Sequence, residues 1–343
     1  IIDGLFGTHR IFSGIGSLYG VLIGTFEILA ALVFVAVIIF WFRRNVVKIQ
    51  RFMKSEMKGW PKLDGNLILY FEIVLMGLFI IMNATDVEFQ STNSGNIISQ
   101  FFAPMFEGYN VHLIERVAWW MHIVGILVFL NYLYYSKHLH ILLAFPNTYY
   151  GSVKPKGYFN NLEAVTNEVK LMMDPNIDPF ATTEEDASVP DKFGASDVQD
   201  LNWVQLLNAY TCTECGRCTS ECPANQTGKK LSPRKIMMDT RDRLVEVGNN
   251  IDTNKGVFVP DGKQLLGDYI TNEELWACTS CNACVEACPI SIDPLSIILE
   301  MRRYLVMEQS AAPMELNTMM SNIENNGAPW PYNQMDRLNW KND

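Results

Sequence analysis

From Thr211 the chain reads TCTECGRCTSECP, and from Ala277 it reads ACTSCNACVEACP, so one pattern of cysteines closed by a proline occurs twice. The chain has 8 cysteines, and all fall in these stretches: Cys212, Cys215, Cys218 and Cys222, then Cys278, Cys281, Cys284 and Cys288. Each run has the spacing C-x2-C-x2-C-x3-C-P. Cysteines crowded this closely pair poorly with one another, which argues against a disulfide framework. Their thiolates are soft ligands, suited to zinc or to iron-sulfur clusters. Zinc sites of four cysteines show two separated C-x2-C knuckles and lack a third close cysteine.

The spacing is that of the two-cluster ferredoxin run, in which three cysteines of one loop hold one cluster and the fourth ligates the other. The expected ligand sets therefore cross. One [4Fe-4S] cluster takes Cys212, Cys215, Cys218 and Cys288, and the second takes Cys278, Cys281, Cys284 and Cys222. A helix start follows each run: Ser232 reads as an N-cap with Pro233 in the first turn, and Asp293 with Pro294 repeats the device. Met237, Ile297, Ile298 and Leu305 fall on the apolar faces of these helices, as ordinary core or as cover over the clusters. The interval between the runs is far longer than a minimal ferredoxin hairpin needs, which points to the helical kind.

A chain of 343 residues allows about two domains at ~150 residues each. Hydrophobic residues make up 49% and charged ones only 19%, with the apolar content concentrated in the first half. The net charge of -10, carried largely by stretches such as TTEEDASVPDKFGASDVQD at 182–200, argues against nucleic acid as a partner. Residues 15–42, 66–83 and 117–145 meet the requirement of about twenty largely apolar residues per membrane span. Between the first two lies a basic loop, with Arg43, Arg44, Lys48, Arg51, Lys54, Lys58 and Lys62 against Glu56. The positive-inside rule puts that loop in the cytoplasm. Residues 86–116 are acidic and are expected outside, so the third span returns the chain inward and delivers the cysteines to the reducing cytoplasm. This topology leaves the start, IIDGLFGTHR, outside without an initiator methionine. An upstream span, or a cleaved signal peptide, is expected before it.

Of the histidines, His122, His138 and His140 lie on the third span or its inner end, while His9 and His112 lie elsewhere. On a continuous helix His122 and His140 would be about five whole turns apart, on one face and about 27 Å from each other along the axis. That placing suits one axial imidazole for each of two stacked b haems. The alternative is that they belong to a polar belt with Trp119, Trp120, Tyr134 and Tyr135. His138 is turned away and reads, with Lys137, as an interfacial anchor. Opposing haem ligands would have to come from His9, His112 or an upstream segment. Glu27 and Glu72 are carboxylates inside the first two spans, at different depths: each is a candidate proton relay or quinol-site base, or a protonated acid in an interhelical hydrogen bond.

The order of spans, the WWMHIVG and YYSKHLHILLAFPN stretches, the acidic linker and the two cysteine runs resemble membrane-bound iron-sulfur proteins similar to the C subunit of heterodisulfide reductase, fused to a membrane domain like the gamma subunit of respiratory nitrate reductase. The resemblance covers nearly the whole chain. In the gamma-subunit family one helix carries two histidines, each ligating one of two b haems, and His122 and His140 match that arrangement, whereas the opposing helix's histidines have no match. The resemblance also implies a partner with cysteine-rich CCG domains like the heterodisulfide reductase B subunit, or another soluble dehydrogenase subunit, because no cysteine follows Cys288 to build such a catalytic half. The tail NIENNGAPWPYNQMDRLNW, with Gly327, Pro329 and Trp330, is similar to the tails of such subunits and reads as an extended docking segment or a surface strap.

The sequence thus predicts a mainly α protein: a transmembrane helical bundle at 1–148, an acidic linker at 149–200, a cytoplasmic helical ferredoxin domain with two [4Fe-4S] clusters at 201–310, and a docking tail at 311–343. The expected role is electron transfer at a bacterial inner membrane, between a quinone pool and a soluble partner that carries the catalytic centre, with or without b haem. The rival reading is a haem-free membrane anchor or redox-sensing scaffold whose clusters are structural.

Overall fold

A helix that is apolar all round needs lipid or a protein interior around it, and three such helices dominate the first part of the chain. The computed structural model describes residues 2, 6, 10–91, 94–155, 157–162, 165, 166, 169, 170, 173, 174 and 192–341. Among the described residues the chain is helical and has no β-strand. It divides into two compact units: Ile1–Pro146 with Thr211–Gly216, and Asn147–Tyr210 with Arg217–Asp343.

The first unit is built on α1 (Ser17–Asn45), α2 (Trp60–Thr85) and α3 (Val111–Leu133), with α2 packed against both of the others. All three are long and apolar enough to cross a membrane. Their outward side chains stay apolar: Val21, Leu29, Val35 and Ile39 of α1, Val74 of α2, and Val124, Leu127 and Val128 of α3 are exposed. So much uncovered hydrocarbon in sequence-continuous stripes is a surface for lipid, not water. The first expected span matches α1 within a few residues. The second begins earlier than expected, because Pro61 opens the helix where its missing N–H costs nothing.

The third span requires a correction. The helix expected over 117–145 stops at Leu133, and a separate helix, α4 (His140–Tyr149), starts after a 3-10 turn at Lys137–Leu139. The cause is a buried carboxylate on the neighbouring helix. Asp64 of α2 accepts hydrogen bonds from the Tyr132 hydroxyl, from Ser136 Oγ at 2.7 Å and from the Lys137 backbone N–H at 3.2 Å. Ser136 is pulled into an extended conformation (φ −106°, ψ 148°) and its hydroxyl caps the turn by accepting from the His138 N–H. Asp64 thus takes N–H and O–H groups that a continuous helix would have turned elsewhere.

A second irregularity lies at the other end of this unit, where residues 94–99 run across α1. Gly20 and Gly24 make room: a Cβ on Gly20 would lie 1.9 Å from Ser94 Oγ, and one on Gly24 2.9 Å from Ile97 Cδ1. Glu27, one turn on and fully buried, accepts from the backbone N–H of Ile98 (2.8 Å) and Ser99 (3.1 Å) and from Asn83 Nδ2 (3.0 Å). Non-helical backbone in an apolar surrounding needs such an acceptor. Glu27 is thus hydrogen-bonded both to α2 and to the crossing loop; Glu72 is half-buried on α2.

The second unit comprises α5 (Trp203–Thr211, its last residue shared with the first unit), α6 (Arg217–Ser220), α7 (Pro223–Gln226), α8 (Pro233–Thr253), α9 (Asn272–Trp276), α10 (Ala283–Glu286), α11 (Pro294–Arg303) and α12 (Met314–Asn326). Its N-caps are the expected ones: Ser232 accepts from Lys235 N, and Asp293 accepts from Ser296 N at 2.9 Å. Met237, Ile297, Ile298 and Leu305 are all buried, as their spacing implies. The buried Arg243 of α8 bonds Asp197 and Asp261, fastening the segment before α5 and the loop after α8 to one helix. Residues 182–191 of the acidic linker lie outside the described residues. The tail departs from the extended segment expected: α12 ends at Gly327 (φ 63°), and a 3-10 turn at Gln334–Lys341 folds back so that Arg337 donates to the Gly327 carbonyl at 2.6 Å.

Candidate metal centre

The two cysteine runs are copies in backbone as well as in spacing. In the first, Glu214 (φ 57°) and Gly216 (φ 74°) are left-handed; in the second, Ser280 (φ 54°) and Asn282 (φ 61°) are left-handed at the matching positions. Non-glycine residues seldom adopt this conformation, so its recurrence marks a loop shape that each run must take. Such loops gather backbone N–H groups on their inner side, and the Ser280 N–H points at Cys278 Sγ, 3.4 Å away. The short helices that follow, α6 with Cys218 and α10 with Cys284, pack on each other. Beneath them α8 supports α6, α11 supports α10, and α8 packs on α11.

Within the second unit, Cys278, Cys281 and Cys284 line a pocket together with Cys222, the last cysteine of the other run. Cys222 reaches it because Pro223 starts α7 and holds the preceding residue in an extended conformation (φ −73°, ψ 117°). Leu231, Leu295 and Ile298 supply apolar walls. Cys222 and Cys284 are buried, Cys278 is half-buried and Cys281 is exposed. Burial raises the pKa of Cys278 and Cys284, and for Cys284 the neighbouring Cys218, Cys278 and Asp293 raise it further. Thiolates in this setting need a cationic group to hold them. Four soft donors around an apolar pocket therefore fit an iron-sulfur cluster, with binding and folding coupled. Among the described residues no three His, Cys, Asp or Glu side chains converge on a site for a single metal ion.

Of the other expected set, Cys212 and Cys215 belong to the segment that goes with the first unit, and Cys218 and Cys288 belong to the second.

Two residues that the spacing did not single out brace these loops. Arg302 of α11 donates to the carbonyl oxygens of Leu275 and Cys278 (each 2.5 Å) and to Ser280 Oγ (3.2 Å), pinning the start of the second run. Lys137, expected as an interfacial anchor, is instead buried and paired with Glu214 of the first run. The sequence held one signal for the second contact: an acidic residue placed inside a cysteine loop.

The histidine expectation also needs correcting, because it assumed one continuous helix. His122 sits in α3 and His140 opens α4 beyond the break, so the five-turn arithmetic does not apply to them. His122 Nδ1 lies 3.0 Å from the Leu75 carbonyl oxygen and His140 Nδ1 lies 3.0 Å from that of Lys137, so both rings have polar partners. His138 lies tilted against Phe129 and edge-on to His140. His112 is exposed beside Glu115, and His9 lies outside the described residues.

A family described as a 4Fe-4S dicluster domain matches residues 211–292, from the first cysteine run to just past the second. The chain is 29% identical to a probable iron-sulfur-binding oxidoreductase, FadF, of Bacillus subtilis, over 92% of this chain and 46% of that protein. It is 27% identical to the EtfAB:quinone oxidoreductase of Syntrophomonas wolfei, over 92% of this chain and 44% of the relative. It is 34% identical to the C subunit of a CoB-CoM heterodisulfide reductase from Methanosarcina acetivorans, over 31% of this chain and 52% of the relative. The chain is thus similar to heterodisulfide-reductase C-subunit-like iron-sulfur proteins, and it spans less than half the length of the first two relatives. No solved structure matches it.

Proposed function

We propose that the chain is the membrane-bound electron-transfer part of an oxidoreductase, passing electrons between a quinone pool and a soluble catalytic partner. Two [4Fe-4S] clusters would be held by Cys212, Cys215, Cys218 and Cys288, and by Cys278, Cys281, Cys284 and Cys222. The observation that carries the reading is the pocket in which Cys222 joins the three close cysteines of the other run. When bound, such clusters supply one-electron transfer. The chain's own contribution is to fix the thiols, to keep water from the buried corners with Leu231, Leu295 and Ile298, and to place a cation, Arg302, at the loop of Cys278.

The apolar helices support membrane association, and a relative named an EtfAB:quinone oxidoreductase supports a quinone at one end of the path. The basic loop at 43–62 supports a cytoplasmic cysteine module facing a partner such as a CCG-domain protein or another soluble dehydrogenase subunit. A b haem at His122 or His140 is the narrower part of the reading. It now rests on each ring turning Nδ1 to a carbonyl, which fixes the tautomer that leaves Nε2 for a metal. The purified complex tests the whole: about eight irons and eight sulfides per chain are expected for two cubane clusters. About four irons, or a zinc content in their place, contradicts it. A pyridine haemochrome decides the haem separately.

A further inference from the structure

The two matching loop positions differ in what holds them. Ser280 accepts from Arg302, a residue of its own unit. Glu214, its counterpart, accepts from the Nζ of Lys137, just beyond the third apolar helix. The side chains of Lys137, Glu214 and Asp64 are 8%, 2% and 3% exposed, so three charged groups are gathered away from water. Lys137 also donates to the Pro61 carbonyl at 2.7 Å, and its Nζ lies 3.8 Å from Asp64 Oδ2. The Arg44 guanidinium donates to the Pro61 and Lys62 carbonyls at the same end of the bundle. Removing one member of such a group would strand the others as uncompensated buried charge. A loop tied this way is not free to drift from the bundle.

We infer that Lys137 is a positioning residue which, through Glu214, mounts the loop of Cys212 and Cys215 on the membrane bundle. The loop that carries Cys212 and Cys215 is thereby built onto the unit that meets the quinone. This deepens the proposed function and rests on it for the quinone alone; the mounting itself does not. Asp64 completes the arrangement twice over. It breaks the third helix so that Lys137 leaves the helical path, and it stands beside the ammonium once it is there.

The test uses the full chain with its clusters, in membranes, as wild type, Lys137→Met and Lys137→Arg. Hydrogen exchange of the 211–216 segment should speed up at least tenfold in Lys137→Met, with the 278–284 segment unchanged, and Lys137→Arg should restore most of the protection. The EPR signal of the first cysteine set should change shape in Lys137→Met, and reoxidation of the clusters by a quinone analogue should slow at least tenfold. Unchanged exchange at 211–216 in Lys137→Met overturns the inference. If Lys137→Met does not assemble, Glu214→Gln decides: exchange at 211–216 should speed up with 278–284 unchanged, and unchanged exchange at 211–216 overturns the inference. A wild-type protein whose clusters do not respond to quinone defeats the proposed function, while the exchange result still decides the role of Lys137.

Discussion

Glu214 and Ser280 occupy the same place in the two cysteine runs and hold the same left-handed backbone, with φ of 57° and 54°. A β-branched side chain is least tolerated there, because its Cβ substituents crowd the backbone carbonyls, whereas glycine adopts the conformation freely. Ser280→Val is therefore expected to destabilise the second loop by about 1–2 kcal/mol relative to Ser280→Gly. Both variants lose the hydroxyl that accepts from Arg302, so the comparison isolates the backbone. Rates of iron loss to a chelator measure it. Equal rates would show that the left-handed turn is not what the loop requires.

Cys222 lines the pocket of the other run. Cys222→Ser is expected to disturb the cluster of Cys278, Cys281 and Cys284 and to leave that of Cys212, Cys215 and Cys218 largely intact. EPR of the reduced protein separates the two. Selective loss of the first cluster's signal would mean that the fourth ligands are not exchanged between the runs.

Arg302 bonds the Leu275 and Cys278 carbonyls, and its positive charge favours the Cys278 thiolate. Arg302→Leu removes these bonds and a positive charge from the same loop. Losing hydrogen bonds from a charged donor should cost about 1.5–3 kcal/mol. The midpoint potential of the second cluster should fall, because reduction adds an electron that the cation no longer stabilises. Potentiometric EPR checks this, and a larger shift at the first cluster would contradict it.

The Arg243 guanidinium holds the Asp261 carboxylate down at about 2, mainly through their hydrogen bond. A carboxylate whose folded pKa lies below its unfolded value of 3.8 stabilises the fold above that value and loses the contribution as pH falls toward about 2. Asp261→Asn should therefore lower stability at neutral pH and flatten the acid limb between about pH 4 and 2. Denaturant midpoints across that range follow the change. A variant with the wild-type acid slope would show that the Asp261 carboxyl is not held below its unfolded value.

Spacing made the cysteine runs, the helix starts at Pro233 and Pro294, and the apolar spans legible, since each depends on residues close in sequence. What stayed hidden depends on contacts between distant residues. The break in the third helix is imposed by Asp64, about seventy residues upstream of Ser136 and Lys137. Hydropathy cannot register it, because Tyr134 and Tyr135 are as compatible with a helix as with its end. Lys137 read as an interfacial anchor and Arg302 carried no signal, because Glu214 and the carbonyls of the second run reach them only in the fold. Likewise, the Ile98 and Ser99 N–H groups that bond Glu27 come from a loop about seventy residues further on.

Electron exchange with quinone tests the central claim most directly. Converting one quinone to quinol consumes two electrons and two protons, and two [4Fe-4S] clusters can yield one electron each. Membranes holding the full chain with its clusters reduced should be mixed with a quinone analogue and followed by freeze-quench EPR. Both cluster signals are expected to disappear together with formation of about one quinol per chain, the yield of two one-electron centres. Clusters that stay reduced in the presence of quinone, yet are oxidised at once by a soluble chemical oxidant, would contradict it.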